Sequence, residues 1–328
     1  PSLLTMLKWG LPFLYYERFI IVKFEKQALT AEEQLSLLIK RGLTVSDKTS
    51  AISILKRLGY YRLSAYMRNF QTGNEHNFIT GVDFQDIIEL YNFDKELRLL
   101  CFDAIQSIEL AYRTAITNVL CKEFGSHWFL NEDSFRDNND LVNCEALILK
   151  EIKKKNNEYA ETFISKYYEK YDEPNYPPFW AIVETFTIGS LNRLYQMLHI
   201  DNKRKIINYL GFTFDKKFMI TANWLYSLCV VRNICAHHSR LFNRVFRISP
   251  TKQALIEELN IDTRNTFYYL AMIINYYLKT FANDANFEND LRKLFAKYPT
   301  IDKTKMGFPI DWTGFTITQI KKQKSKVE

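Results

Sequence analysis

Apolar positions along this chain repeat mostly at intervals of three and four residues, the spacing that places side chains on one face of an α-helix. Thr30-Ala31-Glu32-Glu33 has the form of a capping box and precedes Leu35, Leu37, Leu38 and Ile39, so a first short helix is expected there, stopped by Gly42. Ser46 or Asp47 opens a second, which runs through Ile52, Ile54, Leu55 and Leu58 to Gly59 and is followed by the aromatic-rich stretch Tyr60 to Tyr66. Gly73 to Gly81 breaks every period and reads as a loop or a small hairpin.

From Asp83 the helical spacing is strongest: Phe84, Ile87, Ile88, Tyr91, then Leu97, Leu100, Ile105, Ile108, Tyr112, Ile116 and Val119, ending near Gly125. A run of that length predicts a bent helix or two helices joined end to end. Glu109 and Arg113 lie four apart on it, the spacing of a simple ion pair. Residues 131–158 are polar and charged and read as a mobile insertion. After Pro174, Pro177 and Pro178, helices are expected from Phe179, from Gly189 through Met197, over Thr263 to Phe281 and over Phe287 to Tyr298. No internal repeat and no glycine-rich phosphate loop is present.

Composition sharpens this picture. Among 328 residues, aromatics make up 15%, while 10 Gly and 8 Pro are few for a turn-rich β design, so helix is favoured. A net charge of +7 suits a polyanionic partner. Basic residues gather at Lys153, Lys154 and Lys155, at Lys203, Arg204 and Lys205, and at Lys321, Lys322 and Lys324 of the tail, where phosphate contacts would give salt-dependent binding. Five widely spaced cysteines without a C-x-x-C pair point to a reducing compartment rather than a disulfide frame. Cys235 with His237 and His238 lacks a second pair at zinc-finger spacing, so no metal site and no cofactor is expected. The apolar stretch from Leu3 to Val22 is interrupted by Lys8, Pro12, Glu17 and Arg18 and is too short in uncharged length to span a bilayer. A cytoplasmic location without membrane contact is expected.

The chemistry concentrates in Arg232-Asn233-Ile234-Cys235-Ala236-His237-His238. An arginine holds phosphate through a planar fork of donors, and imidazole exchanges protons near neutrality. Trp224, Leu228, Val231 and Cys235 form an apolar stripe, and Arg232 intrudes on a neighbouring one beside Leu225, Leu228, Cys229 and Ala236. Its charged head must therefore snorkel, pair, or face a cleft. On an uninterrupted helix, Arg232 and His237 would diverge by about 140°. Either the helix ends near Ala236 and the backbone re-aims His237, or the two groups meet counterparts across a dimer interface. Asn233 lies four residues before His237 and is assigned the role of orienting its ring. His238, one position further on, is a secondary candidate.

Several blocks together resemble the Abi-like family of abortive-infection proteins. They are Gln34 with Leu38 and Arg41-Gly42-Leu43, Leu58 to Tyr66, Tyr91-Asn92-Phe93-Asp94 with Leu97-Arg98, and Ile108-Glu109 with Arg113-Thr114. Further blocks are Pro178-Phe179-Trp180 with Glu184, Gly189-Ser190-Leu191, the Arg232 to His237 motif, Ser239-Arg240-Leu241 with Asn243-Arg244, and Met306-Gly307-Phe308-Pro309. They span roughly residues 24 to 312. The resemblance implies an all-α HEPN-type bundle with accessory N- and C-terminal helices, a homodimer, and a metal-independent RNase toxin restrained by a small noncoding RNA. It places Arg232 and His237 as the catalytic pair, acting through a 2′-hydroxyl so that DNA resists cleavage, with Arg240 and Arg244 among the RNA-binding residues. The expected organisation is an extension at 1–22, a helical region at 23–82, a core at 83–250 containing the insertion, and C-terminal helices with the basic tail at 251–328.

Overall fold

A computed structural model describes residues 27–153, 162–212, 217–248, 250, 265–281 and 286–315. The extension at 1–22 and the basic positions Lys154, Lys155, Lys321, Lys322 and Lys324 lie outside the described residues. Within them the secondary structure is twelve α-helices and one two-stranded hairpin, the all-α class that the periodicity predicts. The chain divides after Phe84 into two compact units.

The first unit holds α1 (Ala31–Lys40), α2 (Lys48–Leu58), α3 (Tyr60–Met67) and the strands β1 (Gln71–Thr72) and β2 (Asn77–Phe78). The capping box is formed as expected: Thr30 Oγ1 accepts from Glu33 N–H at 3.2 Å and Glu33 Oε2 accepts from Thr30 N–H at 2.8 Å. Asp47 caps α2 by accepting from Ser50 N–H at 2.9 Å. Leu38, Leu55 and Leu63 are fully buried between these helices. The segment from Gly73 to Gly81 contributes the turn and second strand of the hairpin, with Gln71 opposite Phe78.

The second unit is built around α4 (Phe84–Phe124), a single 41-residue helix roughly 60 Å long. The chain does not split it into two. Phe93, Leu97, Cys101, Ile105, Ile108, Tyr112, Ile116 and Leu120 are all at 0% exposure, an apolar seam continuous enough to carry the helix to its stop at Gly125. The polar stretch from residue 131, expected as a mobile insertion, is instead helical as far as Lys153. A three-ten turn at Glu132–Ser134 leads into α5 (Asn138–Lys153), which buries Cys144, Leu147, Ile148, Glu151 and Ile152. Those positions recur at three- and four-residue steps, an amphipathic stripe masked by the charges between them.

Next come α6 (Thr162–Lys170), α7 (Phe179–Ile182), α8 (Ile188–Met197) and α9 (Ile200–Tyr209). They are followed by α10 (Lys217–Ala236), α11 (Phe267–Phe281) and α12 (Asn286–Lys297). Residues of α11 are buried on nearly every face, which makes it a core helix of this unit. The Tyr277 hydroxyl lies 2.9 Å from the Tyr112 hydroxyl and donates to the Thr221 carbonyl at 3.2 Å, so one polar junction joins α4, α10 and α11. Phe295 of α12 packs ring against ring with Phe308 and Trp312 beyond it, and Trp312 with Phe315. Gly307 has φ +87°, and a Cβ there would collide with Thr266, so only glycine fits that turn.

Candidate functional site

The Arg232 to His238 motif occupies the last turn of α10 and its exit. His237 N–H still bonds the Asn233 carbonyl at 3.0 Å, so His237 keeps its helical place. The reversal comes at His238, whose φ is +55°. His238 N–H bonds the Cys235 carbonyl at 3.1 Å and Ser239 N–H bonds the Ile234 carbonyl at 3.0 Å, the double closure of a left-handed helix C-cap. The backbone therefore does not re-aim His237 toward Arg232, and within one chain the two side chains leave the helix about 140° apart. His237 and His238 are both exposed. Asn233 reaches His237 through its main-chain carbonyl, while its side-chain amide lies 3.9 Å from Cys229 Sγ and its Oδ1 lies 3.5 Å from Arg232 Nη1.

Arg232 is half-buried, and its guanidinium sits 5.4 Å from the centre of the Phe102 ring on α4. Among the described residues no carboxylate lies within ion-pair distance of it. It borders a cavity of about 280 Å³ lined by Phe102, Gln106, Glu109, Leu110, Arg113 and Arg232. One wall is thus the middle of α4 and the other the end of α10. Burial pushes the Cys229 thiol up, and the Arg232 charge pulls against that shift.

The other arginine of the cavity is held at both of its terminal nitrogens. Arg113 Nη2 donates to Glu109 Oε1 at 2.5 Å and to the Phe186 carbonyl at 2.5 Å, and Nη1 donates to Glu184 Oε2 at 3.2 Å. The expected Glu109–Arg113 pair is present, and the fold adds to it the segment between α7 and α8. Arg113 Nε is buried with no acceptor among the described residues. Further along α4, the fully buried Asp94 pairs with Arg98 and accepts from Leu241 N–H at 3.1 Å and Phe242 N–H at 2.6 Å. That carboxylate pins the chain just after the two histidines. Burial, with the neighbouring Cys235 thiol adding to it, holds the Cys101 thiol of α4 far above its ordinary range. Gln106 and Phe102 are site residues that reading the chain did not single out, while Glu109 was read only as half of an ion pair and Asp94 only as part of a block shared with the Abi-like family. The available signal was charge and amide immediately flanking the α4 seam.

The basic positions fare unevenly. Lys203 is 9% exposed, and its Nζ donates to the Gln196 carbonyl at 2.6 Å, which corrects its assignment to an RNA-facing surface. The cause is register: Lys203 falls beside Asn202, Ile206 and Ile207 on the inner face of α9. Arg204 pairs with Asp201 at 2.9 Å, and Lys205 pairs with Glu123. Lys153 is exposed at the end of α5, and Arg244, also exposed, donates to the Arg240 carbonyl at 3.1 Å.

Among the described residues no group of three or more His, Cys, Asp or Glu is placed to hold a metal ion, and no helix is long and apolar enough to cross a membrane. A family model described as Abi-like protein matches residues 53–243, more than half the chain and the whole segment from α3 to the turn after the histidines. The blocks around Gln34 and Gly307 lie outside that match. No curated protein and no solved structure matches the chain.

Proposed function

Because this chain belongs to the Abi-like family, an abortive-infection family, we propose that it is a ribonuclease toxin of the HEPN type that acts in phage defence. The observation that carries the reading is Arg232: a half-buried cation at the edge of a cavity, without a carboxylate partner among the described residues, five positions before an exposed imidazole. A buried charge left unpaired costs free energy unless a ligand completes it. A phosphodiester supplies the missing charge and accepts the fork of donors.

In this scheme Arg232 holds the scissile phosphate and stabilises the charge that grows on its oxygens in the transition state. His237 acts as acid and base: it draws the proton from the ribose 2′-hydroxyl and protonates the leaving 5′-oxygen, giving a cyclic phosphate. The divergence of the two side chains on α10 means that one chain does not surround a phosphate alone. A homodimer placing the α10 ends of two protomers together would bring an arginine and an imidazole from each to one bond. A small noncoding RNA bound to the basic surface, with Lys153, Arg240 and Arg244 among its contacts, would restrain the toxin.

The test is cleavage of RNA by the purified chain. Arg232→Ala and His237→Ala should each lower the rate at least about a hundredfold, the usual range for losing a general acid–base or a charge-stabilising donor. Products should carry cyclic phosphate ends, a chelator should leave the rate unchanged, and DNA should be resistant. Equal cleavage by wild type and both variants overturns the assignment. A second reading, RNA capture without cleavage, is favoured by the divergence of Arg232 and His237 in one chain. Tight, salt-sensitive RNA binding with no cyclic phosphate ends would establish it. Sequencing the RNA that co-purifies with the chain tests the proposed restraint.

A further inference from the structure

We infer that Glu109 is a substrate-contacting residue, which in the bound ground state accepts a hydrogen bond from the ribose 2′-hydroxyl of the nucleotide whose phosphate Arg232 holds, before that proton passes to His237. The inference rests on the phosphate-binding reading of Arg232. It adds a ribose subsite to a cavity that otherwise explains only the phosphate.

Three observations lead to it. First, Glu109 and Arg232 line the same cavity, although they come from different helices. At about 280 Å³ it stands just below the usual span of small-molecule sites, roughly 300–1,000 Å³, and suits one nucleotide unit. Second, Glu109 is 8% exposed, and its Oε1 is fixed by Arg113, which is itself held by Glu184 and the Phe186 carbonyl. A carboxylate held this firmly, with a second oxygen left to accept, is organised in advance for a donor. Third, the charges match. Arg113 is shared by Glu109 and Glu184, which leaves Arg232 as the cation of the wall without a carboxylate partner among the described residues, the charge that a phosphodiester balances. Had Arg113 been missing, Glu109 would repel the phosphate; with it, the carboxylate is neutralised at no cost to its accepting capacity. Phe102 and Leu110 supply apolar surface for the sugar or base face.

Ribose recognition by an acceptor is what distinguishes RNA from DNA at a given site. Isothermal titration of the full chain with uridine and adenosine 3′-monophosphates, and with their 2′-deoxy counterparts, reads the subsite directly. Wild type should prefer the ribo forms about tenfold, equivalent to ~1.4 kcal/mol. Glu109→Gln should bring the preference below about twofold while leaving affinity for the deoxy forms equal or tighter, since one negative charge is gone. Arg232→Ala should weaken ribo and deoxy forms alike. If Glu109→Gln fails to fold, Glu109→Asp keeps the charge beside Arg113, withdraws the carboxylate by one methylene, and should lose the preference too. Absence of a ribo preference in wild type, or its survival in both variants, overturns the inference. A ribo preference in a chain that never cleaves RNA keeps this subsite and discards the ribonuclease reading; Arg232-dependent cleavage without the preference does the reverse.

Discussion

Arg98 and Arg113 on α4 are each paired with a carboxylate of the fold, whereas Arg232 on α10 has an aromatic ring and one amide oxygen at 3.5 Å. All three come from apolar surroundings, yet their circumstances differ in kind. Asp94 and Arg98 are 0% and 5% exposed in their side chains, and the carboxylate also takes the amides of Leu241 and Phe242. Nothing remains there for a ligand to do. At Arg232 the missing counter-charge coincides with a cavity. The contrast teaches that a charge near the core marks architecture when its partners are internal and a binding site when the space opposite is empty.

The contrast breaks most readily at Asp94. Asp94→Ala strands the Arg98 charge in the interior and leaves two backbone donors unmet, so a loss of about 3–5 kcal/mol is expected in urea denaturation. A loss under about 1 kcal/mol would mean that the pair is not structural. Arg113→Met comes next. Glu109 and Glu184 lose their shared cation, and the Phe186 carbonyl loses its donor, for roughly 2–4 kcal/mol. Glu184, about half exposed, carries the smaller part of that loss. Such a variant should also lose the ribo preference, because Glu109 would no longer be held.

How much of this was readable in the chain follows from the range of each interaction. Local devices were legible: the Thr30–Glu33 capping box, the Asp47 cap, and the stops at Gly42, Gly59 and Gly125 all rest on neighbours within five residues. Arg232 stood out for a local reason too, its apolar company on α10. The environment of Arg113 was not legible, because Glu184 and Phe186 lie 71 and 73 residues away and only the fold brings them in. The same holds for Asp94 and Leu241, 147 residues apart. Where local reading misled, composition had outweighed period: the charges of 138–153 hid a buried stripe, and the run at 203–205 hid that Lys203 points inward. Net charge counts residues, whereas burial depends on which face each one takes.

Arg232→Ala should barely move stability, by about 0.5–1 kcal/mol for the lost ring contact, even as it removes RNA cleavage. Equal destabilisation by Arg232→Ala and Asp94→Ala would erase the distinction between the two regions.

Lys203 sharpens the comparison from the other side, as a cation that is buried like Arg98 but bonded to a carbonyl instead of a carboxylate. Burial, helped by the Arg136 charge and opposed by Asp140, pushes its ammonium down to about 8. In the unfolded chain the same group holds its proton to about 10.4. Between those two values the unfolded chain holds this proton more fully than the folded one, so the contribution of this lysine to stability rises as pH climbs from about 8 toward 10. Above that window the buried Tyr112, Tyr195 and Tyr277, whose phenols burial raises well beyond the ordinary range, reverse the slope. Unfolded tyrosines then lose protons that the folded chain retains. Within the window the Cys101, Cys121, Cys144 and Cys229 thiols, which burial also raises, act in the same direction as those tyrosines, so the lysine is read as a difference between two proteins. Between pH 7.5 and 9.5 the melting temperature of wild type should gain a few degrees on that of Lys203→Met, given about 2–4 °C for each 1 kcal/mol in chains somewhat shorter than this one. In Lys203→Met no proton is left to release, and the methionine fills the same space without a charge. A difference between the two proteins that stays constant across the window would place the titrating group elsewhere.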